Sequence, residues 1–89
     1  MTPSIGRSVH AYVDPTTNNG VDYAAATITR VWGPFTAGDG WTVNLKIFLD
    51  GNETLWRTSV YLYPDRATAE AYSAAEQPLG RAWWPERVG

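Results

Sequence analysis

Trp41-Thr42-Val43-Asn44-Leu45-Lys46-Ile47-Phe48-Leu49, followed by Asp50-Gly51-Asn52-Glu53, is the stretch that decides the fold. Trp41, Val43, Leu45, Ile47 and Leu49 fall on alternate positions, with Thr42, Asn44 and Lys46 between them. Successive side chains of a strand point to opposite faces, so this period of two predicts a half-buried strand. Phe48 interrupts the polar positions, so the second face is expected to be partly covered too. Asp-Gly and Gly-Asn supply positive φ at little cost, which predicts a hairpin turn at residues 50–53. The chain is expected to return antiparallel over Thr54–Tyr63. Trp56, Thr58, Val60 and Leu62 would then face in, with Arg57, Ser59, Tyr61 and Tyr63 outward.

Working outward, Ser8–Val13 alternates, with Val9, Ala11 and Val13 on one face and His10 and Tyr12 on the other. Asp14 to Gly20 is a loop of turn formers. Thr27, Ile28, Thr29 and Val31 favour a strand over Tyr23–Trp32, because β-branched side chains fit a pleated surface. Ala24-Ala25-Ala26 is the weak part of that segment, since alanine prefers helix. Gly33-Pro34 is expected to end the strand, and Ala37-Gly38-Asp39-Gly40 to form a loop. Beyond Pro64, Asp65 to Glu76 predicts a short alanine-rich helix with Asp65 as its N-cap. Ala67, Ala71, Ala74 and Tyr72 would make its apolar contact. Pro78 and Gly80 end the helix, and Arg81–Pro85 forms a last short strand. The chain is therefore expected to be mainly β: a small SH3-like β-barrel of four or five antiparallel strands, with one short helix before the last. A small sandwich is the alternative. One domain spans residues 1–89, with arms at residues 1–7 and 86–89.

Composition narrows the function classes. Of 89 residues, 44% are apolar and 18% charged, which is a globular profile. There is no cysteine, so neither disulfides nor thiolate ligands can support a thin core. A net charge of −2 gives no basic face for nucleic acid. No apolar run is long enough for a membrane helix, and no apolar signal core follows Met1, so neither a membrane contact nor a secretory signal is expected. His10 is the one histidine, and zinc needs three or four ligands, so no metal or other cofactor is expected. Asp14, Thr16, Asn18 and Asp22 are the one crowd of oxygen ligands, and they read as a turn-rich loop. No serine sits in a nucleophile motif, no glycine-rich phosphate loop is present, and most acids lie in turns. No catalytic residue is assigned, and the chain is not expected to be an enzyme.

The aromatics carry more information. Trp32, Trp41, Trp56, Trp83 and Trp84 exceed what so small a core requires. Adjacent Trp83 and Trp84 must point to opposite faces if extended. One belongs to the core, and the other faces the helix, another subunit or a ligand. Tyr12, Tyr61 and Tyr63, on outward faces, are expected to add to a contact surface, because aromatics are enriched in interface hot spots. A sugar-stacking platform is a further reading of the same residues.

Several phrases resemble a group of small proteins encoded by actinobacterial phages and prophages. Gly6-Arg7-Ser8-Val9-His10-Ala11-Tyr12-Val13 is similar to their opening, and Ala24 to Val31 to their second strand. Val43 to Leu49 is similar to a later strand, and Gly80-Arg81-Ala82-Trp83-Trp84-Pro85-Glu86-Arg87-Val88 to their terminus. The chain departs from the pattern at Trp84, where His is common, at Leu49-Asp50-Gly51, where Asn-Pro is common, and in its alanine-rich helix, where the pattern implies a loop. The resemblance implies a non-enzymatic phage structural protein. On that reading it is a capsid decoration or minor head protein that binds the major capsid protein and copies of itself as a small oligomer. It would be made in the host cytoplasm and reside on the virion's capsid surface. Ile5, Arg7, Tyr12, Phe48, Tyr61, Tyr63, Trp83, Trp84 and Arg87 are the expected contact residues. The alternative is a phage-encoded binding module that targets a host protein or a cell-wall glycan.

Overall fold

The computed structural model describes residues 2–35, 40–71 and 80–85. Five strands form one closed barrel: β1 (Ser8–Tyr12), β2 (Tyr23–Phe35), β3 (Gly40–Phe48), β4 (Thr54–Tyr63) and β5 (Arg81–Trp83). A 3-10 turn (Pro15–Thr17) lies between β1 and β2, and one helix, α1 (Arg66–Ala71), precedes β5. This is the expected SH3-like barrel with its helix before the last strand. The expected helical residues beyond Ala71, the loop residues 37–39 and the arm 86–89 lie outside the described residues.

One expectation about strand direction is corrected. β1–β2, β2–β3, β3–β4 and β1–β5 are antiparallel, but β4 and β5 are parallel. Parity requires it: around a ring of five strands, directions cannot alternate at every step, so at least one neighbouring pair must run the same way. A parallel pair cannot be joined by a tight hairpin. Residues 64–80, including α1, provide the longer crossover.

The interior is filled by Val9, Ala11, Val13, Ala24, Ala26, Ile28, Val43, Leu45, Ile47, Leu49, Val60, Leu62, Ala82 and Trp84. Small barrels alternate small and large inward side chains to fit their taper. Ala11, Ala24, Ala26 and Ala82 are the small members of this interior and Trp84 its largest buried one. The alanine run that reads as helix by propensity is thus a strand, because tertiary packing selects its small volume. The β3–β4 hairpin forms where Asp50-Gly51 predicts it, with Leu49 N donating to Glu53 O at 3.1 Å. Gly51 adopts φ 129°, a region that favours glycine.

Two strands deviate from simple alternation. β2 runs on through Gly33-Pro34 to Phe35 instead of ending at Trp32. Its pairing with β3 shifts between Ile28 and Arg30 and again between Val31 and Gly33. Pro34 follows that second irregularity, one of the places where a strand tolerates proline. On β4 the pairing jumps from Leu45↔Arg57 to Val43↔Val60, so β4 carries one extra residue. Ser59, at φ 57°, lies in that bulge. The slip reverses the inward phase of the first half of β4, as a one-residue shift must. Leu55 and Arg57, not Trp56 and Thr58, pair with the inward Ile47 and Leu45.

Candidate functional site

The outer surface of the barrel carries two aromatic regions. The first lies on β2–β4. Ladder register aligns Thr27, Lys46 and Trp56 in one outward row, and Ala25, Phe48 and Thr54 in the next. Trp56 is 63% exposed, Trp32 51% and Phe48 45%. Tyr61, outward beyond the bulge, is 49% exposed. These strands contain Arg30, Lys46 and Arg57 and no carboxylate.

Asn44 orders this face. Its Oδ1 accepts from Trp32 Nε1 at 2.8 Å, Thr58 Oγ1 at 2.9 Å and Ser59 N at 3.0 Å. One buried amide oxygen therefore ties the irregular stretch of β2 to the bulge of β4. The Arg30 guanidinium lies 3.8 Å from the Trp32 ring centroid and so stacks on that indole. The tryptophan is held in place while much of its surface stays in water.

The second region lies under α1. Tyr12, Tyr63, Trp83 and Ala69 form a separate buried cluster. Asp65 caps the helix, accepting from Thr68 N at 2.7 Å. That bond and the Thr68 side chain hold the Asp65 carboxyl below its ordinary range. Tyr12 Oη donates to Glu70 Oε1 at 3.1 Å, and burial with this bond raises the phenol above its ordinary value. Buried Arg81 donates from Nη1 to Ala69 O at 2.7 Å and lies over the Tyr12 ring at 4.6 Å. Arg66 bridges Asp22 at 2.9 Å and Glu70 at 3.1 Å.

The expected contact residues divide accordingly. Ile5, Phe48 and Tyr61 are exposed. Arg7 is exposed, 5.4 Å from the Trp84 ring centroid. Its main chain also holds the N-terminal arm to β2, with Gly6 N donating to Ile28 O and Ile28 N to Arg7 O. Tyr12, Tyr63 and Trp83 do leave the barrel on its outer face, but α1 covers them, so they are not free surface. Trp84 is corrected outright: it is 7% exposed and belongs to the barrel interior. Of the Trp pair, Trp84 is the core member and Trp83 the one facing the helix. Arg87 lies outside the described residues. Trp32 and Trp56 are missing from the expected set. Trp56 follows simple alternation into the core until the bulge reverses it, and no local signal marks that bulge.

His10 is half-buried on β1, with its ring 5.2 Å from Tyr23 and 5.8 Å from Trp83. Burial, and then the charge of Arg66, hold its imidazole below the ordinary 6.5. A base whose folded pKa is depressed takes up a proton more readily in the unfolded chain. Its stabilising contribution is whole above about pH 6.5 and is lost as pH falls through that value toward the folded pKa. Thermal melts should therefore drop between about pH 7 and pH 5, and His10→Gln should flatten the slope in that window. An unchanged slope would show that the imidazole is not responsible.

Among the described residues no group of three or more His, Asp or Glu side chains could hold a metal ion. No helix among them is long and apolar enough to cross a membrane. Neither a scan against protein-family models nor searches of curated proteins and of solved structures return a match to this chain.

Proposed function

We propose that the protein is a non-enzymatic structural protein that docks on a partner protein through the outer face of β2–β4. In the phage setting implied by the resemblance of its ends, that partner is the major capsid protein, and the chain is a decoration or minor head protein. The observation that carries the docking reading is the exposure of Trp32, Trp56, Phe48 and Tyr61 on a sheet whose own core is already filled. Exposed apolar surface of this kind marks interaction sites. On this face the exposed aromatic side chains are what a partner would bind. A rigid sheet also presents aromatics at low entropic cost.

Quantitative mass spectrometry of purified particles from the source phage tests this reading. The chain is expected in fixed ratio to the major shell protein. Trp56→Ser should then weaken particle binding by about 2 kcal/mol or more, roughly 30-fold, while leaving the melting temperature in place. Particles that lack the chain would overturn the capsid assignment. A pull-down from host lysate would then examine the host-protein alternative.

A further inference from the structure

Arg66 is the first residue of α1, and its guanidinium carbon lies 5.1 Å from the ring centroid of Tyr12, 5.3 Å from Tyr23 and 5.0 Å from Trp83. A cation within about 6 Å of a ring centroid is attracted by the ring quadrupole. Here one cation meets that condition with three rings at once. His10 closes the group, in ring contact with both Tyr23 and Trp83. The barrel builds this arrangement by register. Tyr12 pairs with Tyr23 across β1–β2, and His10 pairs with Trp83 across β1–β5. His10 and Tyr12 are two residues apart on β1 and so share the outer face. At the rim, Asp22 and Glu70 each accept a hydrogen bond from Arg66.

We propose that His10, Tyr12, Tyr23 and Trp83 form an aromatic cage for an organic cation, a guanidinium or methylated ammonium group, which Arg66 fills from within the chain. Its walls stand on β1, β2 and β5, not on α1, so they persist when the helix lifts. The occupant stands on the less secure element. Ala69 is the buried side chain of the described part of α1, so this segment depends on its docking contacts. Local opening of such a segment costs less than global unfolding. An incoming cation therefore competes with Arg66, and its apparent affinity is reduced by the fraction of molecules in which the cage is empty. The cage adjoins the exposed β2–β4 face, with Tyr23 on β2 and His10 paired to Ala25 in the row of Phe48, but it does not depend on the docking role proposed for that face.

The test uses the full chain. Wild type and Arg66→Ala are titrated with tetramethylammonium and, separately, with N-acetylarginine amide. Tryptophan fluorescence and the indole N–H resonance of Trp83 report binding. Arg66→Ala is expected to bind saturably, about tenfold or more tighter than wild type, because the internal competitor is gone. Its melting temperature should rise with added cation. Tyr23→Ala, a half-exposed wall residue, should abolish this binding when added to Arg66→Ala. Preference for tetramethylammonium would assign the site to methylated ammonium groups, and preference for the arginine derivative to arginine side chains of a partner. A folded Arg66→Ala without saturable binding overturns the proposal. So does binding that survives Tyr23→Ala, or a response that equal sodium chloride reproduces. If Arg66→Ala does not fold, restoration of its fold by methylguanidinium supports the cage, and failure to restore it overturns the cage.

Discussion

Trp84→Ala is expected to cost about 3–5 kcal/mol, the range for truncating a buried large aromatic. A domain of 89 residues holds about 4–13 kcal/mol in total, so this one change removes a large share and can unfold the chain. The loss has two sources. Burial of the indole is forfeited, and a void remains among neighbours that cannot collapse into it. The interior that holds Trp84 also includes Ala11, Ala24, Ala26 and Ala82, whose side chains are too short to fill such a void. The backbone bond from Trp84 N to Tyr63 O at 3.1 Å, which holds the chain just beyond β5 against the end of β4, is retained by alanine and adds nothing to the loss. Chemical denaturation of the variant checks the figure. A stable Trp84→Ala that merely bound its partner less well would return this residue to the contact surface. Trp56→Ser provides the opposite control, because an exposed substitution away from any network changes stability by less than about 0.5 kcal/mol.

Asn44→Ala is expected to destabilise by about 2–3 kcal/mol, although no apolar core is lost. The amide oxygen receives three donors, and removing it strips the Ser59 N–H in the bulge of its acceptor. Trp32 would lose its anchor, and its indole would become mobile on the sheet surface. The variant should therefore show a lower melting temperature and a red-shifted, less polarised tryptophan emission. Ser59→Gly separates the amide's role from that of the bulge itself. At φ 57°, Ser59 bears the cost that L residues carry in the left-handed region, about 1–2 kcal/mol, and glycine does not. It should match or exceed wild-type stability. Equal losses in the two variants would mean that the bulge, rather than the Asn44 amide, is the sensitive element.

Much of the fold is legible in the residues because it rests on local rules. Alternation from Trp41 to Leu49, the Asp50-Gly51 hairpin and the Asp65 cap each depend on a few neighbouring side chains. Each is where the sequence places it. The contact surface is less legible. Alternation assigns Trp56 inward, which fails, and Tyr63 outward, which holds without making it exposed; both outcomes have long-range reasons. A bulge on β4, paired across the sheet with Asn44 on β3, turns Trp56 out. A helix that arrives later in the chain covers Tyr12, Tyr63 and Trp83.

Residue pattern is enough to read the class of the protein: a small, mainly β domain with one short helix before its last strand, and no cysteine. These features follow from periodicity, turn chemistry and composition, which are properties of adjacent residues. Which aromatics are core, which are covered and which face water emerges only in the closed barrel. So do the parallel run of β4 and β5 and the place of Arg66 among three rings. Closure of a five-stranded ring and the slip of one residue at a bulge act across strands, and no window along the chain contains both partners of such a contact.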